Sequence, residues 1–306
     1  MKLTKTRLPS ALCALPSEFR RYLWPAAKAA MFLLALRIIF GELRHFHYHE
    51  LAAYLDSLRP SQLILAIAAT AASYLTLSSY DVLGMRYGNH PMPLRRTLFG
   101  SFVAYAVSNT MSTVIGGSLR YRLYTAWGLM PAEAARVMTF GIGTFWLGFL
   151  TLTDSVLTLH PVLASTAAVG PLLLIAPATY AALVIVRARR MPSLPIAGAQ
   201  LVVSSADWIF AAIAFHALLP QTIRVPFMTT LAVFLTAQLL GVISGLPGGV
   251  GVFEATALAL LGRGAGALLA YRAIYYLLPL IVAGLLVAAQ NLLVILRGCE
   301  GFSAGG

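Results

Sequence analysis

The residues best equipped for chemistry in this chain are charges set inside apolar sequence. An uncharged run from Phe99 to Ile115 ends in Gly116-Gly117-Ser118-Leu119-Arg120-Tyr121-Arg122. A planar guanidinium donates two parallel hydrogen bonds to a phosphate. A small nest of backbone amides at Gly116, Gly117 and Ser118 would add donors. Arg120 and Arg122 with these three residues are therefore candidate ligands for the phosphate of a phospholipid headgroup. Anchoring of two arginines at a cytoplasmic interface accounts for the same residues, and both readings stay open.

A second apolar run, Pro226 to Ile243, ends in Pro247-Gly248-Gly249-Val250-Gly251-Val252-Phe253-Glu254. Glu254 opens an apolar helix, where the helix dipole favours a carboxylate. Its candidate roles are pairing with Arg272 or an arginine of the first segment, contact with a cationic headgroup, and proton relay. Gly248, Gly249, Tyr271 and Arg272 would support it. Asp81, Asp154 and Asp207 lie in or at the ends of apolar segments, where a carboxylate is a functional candidate by default; Asp81 and Asp207, near segment ends, also fit simple interfacial placement. The four tryptophans, Trp24, Trp127, Trp146 and Trp208, mostly fit interfacial belts.

The elements that must hold these residues follow from composition. The chain has 306 residues, 59% hydrophobic and only 10% charged, where a soluble domain carries about 25% charged residues. The apolar residues come in blocks of membrane-spanning length, so the fold class is an all-α polytopic membrane protein. The net charge of +12 punctuates apolar segments instead of forming a soluble basic face. That pattern points to the bilayer and to anionic lipid as partners, with no nucleic acid. Cys13 and Cys299 lie at opposite ends, which disfavours a structural disulfide. His45, His47 and His49 alternate, a spacing that diverges on a helix; they read as a wet interfacial segment, with a metal site as the lesser alternative. No cleavable leader is evident in residues 1–21. There is no nucleophile–base constellation, P-loop, dinucleotide fingerprint or zinc motif, so neither an enzyme nor a cofactor is expected.

In order, the sequence predicts a basic cytoplasmic tail (1–21), a single membrane domain (22–297) and a short tail (298–306). Within the domain, spans are expected near Tyr22–Leu43, Pro60–Leu83, Val137–Leu159, Pro171–Val186, Ile196–Leu219 and Leu268–Arg297. A short amphipathic piece, Pro131–Arg136, precedes the span at Val137. The two glycine breaks are the informative part. If they were loops between eight full spans, the 22 Lys and Arg would divide evenly between the two sides. If each glycine pair is instead the tip of a re-entrant hairpin, there are six full spans and sixteen of the 22 basic residues fall inside. The second arrangement obeys the positive-inside rule. It places both termini in the cytoplasm and the hairpins on opposite faces, which makes an inverted repeat of the kind used by transporters.

Five motifs carry a resemblance. They are Gly116 to Tyr124 with Trp127-Gly128-Leu129, Thr144-Phe145-Trp146-Leu147-Gly148, Ser205-Ala206-Asp207-Trp208, Pro247 to Glu254, and Tyr271-Arg272-Ala273-Ile274-Tyr275-Tyr276-Leu277-Leu278-Pro279. In this order, over roughly residues 22–297, the chain resembles the N-terminal membrane region of the bacterial lysylphosphatidylglycerol synthase/flippase (multiple peptide resistance factor) family. The resemblance implies a flippase of the inner membrane that moves phosphatidylglycerol-type lipids, aminoacylated or not, and so contributes to cationic peptide resistance. Members of that family also carry a C-terminal transferase domain. This sequence stops at Gly306, so synthase activity is expected to be absent even if a homology-based name called it a lysyltransferase. Alternatives are a non-transporting membrane partner of a separate aminoacyl-phosphatidylglycerol synthase and a small-solute transporter.

Overall fold

The computed structural model describes residues 48–90, 92–162, 172–186, 191–223, 225–245 and 247–303, with the backbone alone at 48–50, 247 and 291–303. These residues are helical, and among them there is no strand. The expected first span at Tyr22–Leu43, together with His45, His47, Arg187, Arg189 and Arg190, lies outside them.

Among the described residues, four helices are long and apolar enough to cross a membrane: α2 (Pro60–Tyr87), α5 (Pro131–Leu159), α7 (Leu194–Ala217) and a last one whose apolar part runs Ala265–Gln290. At about 1.5 Å per residue, each exceeds the roughly 30 Å of a bilayer core. Proline occupies the first turn of α2, α5 and α7, where its missing N–H costs nothing. Gln62 Oε1 accepts the Arg59 N–H and Glu133 Oε2 the Met130 N–H, which satisfies two of the donors a helix start leaves open. Before α2, the short helix α1 (Tyr48–Ser57) ties to the end of α7. Tyr54 Oη donates to the Leu218 carbonyl at 2.6 Å, and burial pushes that phenol up to about 12. Gln62 Nε2 donates to the Ala217 and Leu219 carbonyls.

Between the long helices lie two broken pairs. α3 (Leu94–Thr110) and α4 (Thr113–Ala126) pack on each other, as do α8 (Phe227–Ile243) and α9 (Val252–Leu261). Their lengths of 17, 14, 17 and 10 residues give about 25, 21, 25 and 15 Å, less than a bilayer core. The described chain thus runs long helix, broken pair, long helix, twice over. α6 (Ile175–Ile185) falls between the two successions. α2 and α7, which open them, run antiparallel: Gln62 meets Ala217 while Ser73 meets Asp207.

Several expectations need correction. The first break is at Met111–Ser112 and not at Gly116-Gly117. Ser112 caps α4, its Oγ accepting the Val114 N–H at 3.2 Å. Gly116 lies inside α4, its N–H bonded to the Ser112 carbonyl, so a free amide nest does not form there. The glycine serves a close backbone approach: a Cβ at 116 would lie 2.0 Å from Ser108 Oγ and 2.5 Å from the Ala104 carbonyl. Small residues permit this kind of helix contact in apolar surroundings. In the second pair the glycines do form the break, with Gly248 and Gly249 at φ of 59° and 63°. Pro131–Arg136 is no separate piece but the first turns of α5. The span expected near Pro171–Val186 contracts to the 11 residues of α6.

The core is aromatic. The Phe149 and Trp208 rings meet at a tilt of 43° with centroids 4.5 Å apart, and the cluster continues through Phe215, Phe234, Phe253 and Tyr271. Trp208 is therefore a core residue and not part of an interfacial belt. Gly148 lets α5 approach α7, where a Cβ would sit 2.1 Å from Ser204 Oγ. α10 (Ala265–Tyr271) passes into a π-helix, Arg272–Leu277, and then α11 (Leu278–Ser303). The wider turn sits at the residues with the most polar contacts, as π-bulges often do.

Candidate functional site

Each broken pair is tied to a long helix by an arginine–carboxylate pair, buried in the first and partly buried in the second. In the first, Arg120 of α4 reaches Asp81 of α2, its Nη1 3.1 Å from Asp81 Oδ1. Asp81 is fully buried and Arg120 is 5% exposed. Ser101 Oγ donates to Asp81 Oδ2 at 2.8 Å, and Tyr124 Oη donates to the same oxygen. The Arg120 guanidinium lies 4.8 Å from the Tyr105 ring centroid. Gly141 of α5 closes the group: a Cβ there would stand 3.1 Å from Tyr105 Oη and 3.3 Å from Asp81 Oδ1. Burial on this scale is tolerable only because charge and lone pairs are both satisfied.

In the second, Glu254 of α9 and Arg272 of the π-helix pair at 2.6 Å. This selects Arg272 over an arginine of the first broken pair. Glu254 serves two functions at once: Oε1 accepts from Arg272 Nε and Oε2 accepts the Gly251 N–H at 2.7 Å. Arg272 Nη1 donates to the Gly248 carbonyl at 2.9 Å, and its guanidinium lies 4.5 Å from the Tyr276 ring centroid. The arginine thus clamps the glycine tip from below. Tyr271 stacks on Tyr275 and Phe253. Tyr271 Oη and Arg272 Nη2 are buried without a hydrogen-bond partner among the described residues.

The two tips touch. A Cβ at Gly248 would lie 3.2 Å from the Asn109 carbonyl and 3.1 Å from Arg272 Nη1. Beside this contact Thr110 Oγ1 donates to the Tyr276 carbonyl at 3.1 Å.

A third group joins the halves. Asp207 of α7 accepts from Ser73 Oγ at 2.5 Å and from Tyr80 Oη at 2.8 Å. Ser73 Oγ also bonds Tyr275 Oη of the π-helix at 2.7 Å. The Tyr80 ring meets Tyr105 edge-on, which brings this group next to the Arg120–Asp81 pair.

Among the sequence candidates, then, Asp81, Arg120 and Asp207 converge around α2, and Gly248, Gly249, Glu254, Tyr271 and Arg272 converge at the second tip. Arg122 and Ser118 lie one turn apart on the exposed face of α4, away from Arg120; Gly116 is a packing position, whereas a Cβ at Gly117 would meet only Met138 Cε at 3.7 Å. Arg122 makes no ion pair among the described residues. Asp154 is buried in α5 apart from all of these and is hydrogen-bonded to Thr158, its Oδ1 without a partner among the described residues. The sequence reading missed Ser73, Tyr80, Ser101, Tyr105 and Tyr124 as site residues. A signal existed: Ser73-Tyr74 and Tyr80-Asp81 repeat polar pairs seven residues apart in an apolar helix, which places them on one face.

A further cavity of about 480 Å³ lies between α5, α6 and α7, lined mostly by apolar side chains with Arg136 and Gln200 among them. Gln200 Nε2 donates to Thr144 Oγ1 at 2.6 Å.

No protein-family model matches the chain, so the resemblance drawn from its motifs gains no support there. The uncharacterized protein slr0712 of Synechocystis sp. is 33% identical over 296 residues, which covers 88% of this chain and 92% of that protein. The inner membrane protein YbhN of Escherichia coli K12 is 32% identical over 248 residues, 72% of this chain and 77% of that protein. The chain belongs to the family that includes slr0712 and YbhN, and with its apolar helices of spanning length it is a multi-pass protein of the inner membrane.

Proposed function

We propose that this chain is a phospholipid translocase of the inner membrane, moving phosphatidylglycerol-type lipids, aminoacylated or not, between leaflets. The observation that carries the proposal is the meeting of two broken helix pairs, Asn109 against Gly248, each braced by an arginine–carboxylate pair, one buried and one partly exposed. Broken helices inside a bilayer are stable only where they are buried in protein or line a wet cavity, and transporters place their substrate sites at such breaks. In this reading α3–α4 and α8–α9 are re-entrant hairpins entering from opposite faces. The antiparallel course of α2 and α7 supports an inverted repeat, and both termini are cytoplasmic. The motif resemblance to the lysylphosphatidylglycerol synthases adds the lipid class and a contribution to cationic peptide resistance.

The residue roles divide by exposure. Arg122 and Ser118 on the open face of α4 contact lipid phosphate. Arg120 is held by Asp81 and positions the hairpin. Glu254, 24% exposed at its side chain, faces an amine-bearing headgroup while Arg272 holds the tip. No covalent chemistry is assigned to the chain.

The test in cells is the leaflet distribution of phosphatidylglycerol and its aminoacylated form in a deletion strain. Translocation predicts a lower outer-leaflet fraction with total lipid unchanged. Loss of the aminoacylated lipid itself, with normal distribution of what remains, would instead favour a partner of a separate synthase.

A further inference from the structure

The buried network holds two carboxylates in very different company. Asp81 has the Arg120 guanidinium at 3.1 Å. Asp207, 4% exposed, has only hydroxyls among the described residues: Ser73 Oγ at 2.5 Å and Tyr80 Oη at 2.8 Å. The charged and titratable groups on the elements packed against it do not alter this. On α2, Tyr74 and Asp81 face other partners, Asn109 and Arg120. On α3, Tyr105 lies under the Arg120 guanidinium. On the π-helix, Arg272 is committed to Glu254, and Tyr275 reaches Ser73. On α5, Asp154 shares no hydrogen bond with Asp207, and Glu133 pairs with His90; Arg136 lines the cavity near Gln200. α6, α8 and α10 contain no charged residue, and His216, at the far end of α7, bonds Thr230.

An ionised carboxylate in apolar surroundings is costly without a cation, whereas a neutral acid needs only hydrogen bonds. The hydroxyls here can serve both forms. When Asp207 is ionised, Tyr275 donates to Ser73, Ser73 donates to Asp207 Oδ1 and Tyr80 donates to Oδ2. When a proton sits on Oδ1, Asp207 donates to Ser73, Ser73 donates to Tyr275, and the Tyr275 proton turns away from Ser73. The geometry allows either direction along the Ser73–Tyr275 bond. Tyr275 belongs to the same π-helix as Arg272, whose Nη1 holds the Gly248 carbonyl at the second tip.

We propose that Asp207 is a proton-binding site that couples proton movement to the second hairpin, with Ser73 and Tyr275 as the link. This rests on the translocase reading for its consequence, in that one protonation cycle of Asp207 accompanies one transport cycle, but the proton site itself does not depend on it. Proton arrival reverses the Ser73–Tyr275 bond without breaking it, so the Tyr275 hydroxyl loses Ser73 as its acceptor and its proton must turn to another. That reorientation biases the position of the π-helix relative to α2 and, through it, the Arg272 grip on Gly248. A two-state element biased from two places is what coupling requires.

Two measurements on the full chain in vesicles test it. Infrared difference spectra across a pH titration should show a neutral carboxylic acid band that disappears as pH rises and is absent in Asp207→Asn. Transport of labelled phosphatidylglycerol should respond several-fold to an imposed pH gradient in the wild type, and Asp207→Asn should abolish that response. Tyr275→Phe should keep the titrating band yet lose at least half of the gradient response. The absence of a titrating band attributable to Asp207 overturns the proton site. A band with gradient response unchanged in Asp207→Asn overturns the coupling. If no lipid moves under any condition, the translocase reading fails while the infrared result still decides the proton site.

Discussion

Gly248 and Asn109 meet where two broken helix pairs converge, and the contact leaves little room for a side chain. A Cβ at 248 would stand 3.2 Å from the Asn109 carbonyl, and the residue holds φ at 59°. Both the space and the backbone conformation call for glycine. Gly248→Ala should therefore destabilise the protein by about 1–3 kcal/mol and lower its melting temperature. Gly143→Ala, on an open face with nothing within 4 Å, should leave the melting temperature unchanged or slightly raised. Thermal unfolding of the two variants in one detergent gives the comparison.

The Arg120–Asp81 pair makes a prediction about coupling. Removing one member strands a buried charge, a cost of about 3–5 kcal/mol. Arg120→Gln and Asp81→Asn should each be strongly destabilising, and the double substitution should cost clearly less than the sum. A double-mutant cycle measures this. Additive losses would mean that the two side chains do not act on each other.

Arg122 should behave in the opposite way. It is exposed on α4, so Arg122→Ala should change stability by no more than about 0.5 kcal/mol. Anionic lipid should raise the melting temperature of the wild type through binding linkage, and this gain should shrink in Arg122→Ala. An equal lipid-dependent gain in both would remove Arg122 from the phosphate site.

Gly116 and Gly148 are predicted to matter for helix approach. A Cβ at 148 would lie 2.7 Å from the backbone carbon of Ser204, so Gly148→Ala should cost about 1–3 kcal/mol. Trimming the neighbour with Ser204→Gly should not restore stability, because the obstruction includes main chain. Gly116→Ala paired with Ser108→Gly should fail in the same manner, given the Ala104 carbonyl 2.5 Å away.

These glycines also show what the sequence could and could not reveal. The long apolar helices were legible because length and composition determine them. The second break was legible because Pro247, Gly248 and Gly249 leave little freedom for a regular helix. The first break was misplaced by five residues: a glycine pair can equally be a turn or a helix contact, and only the proximity of Ser108 decides between them. Arg120 and Arg122 look alike in sequence, yet their adjacent positions turn one inward to Asp81 and the other outward. The partners of Asp207 come from α2, and Tyr275, which bonds one of them, comes from the π-helix; all lie more than 60 residues from Asp207. Such long-range pairings leave at most a faint trace, here the seven-residue repeat on α2.

The central claim is that this chain alone moves phospholipid across a bilayer. The direct measurement is reconstitution of the purified protein into vesicles with headgroup-labelled phosphatidylglycerol or lysylphosphatidylglycerol, followed by addition of an impermeant quencher. The account predicts quenching well beyond the half accessible in vesicles holding an inert membrane protein, retained in Gly143→Ala and reduced at least several-fold in Arg122→Ala. Folded, inserted wild-type protein that quenches no more than the inert control with either lipid would contradict it.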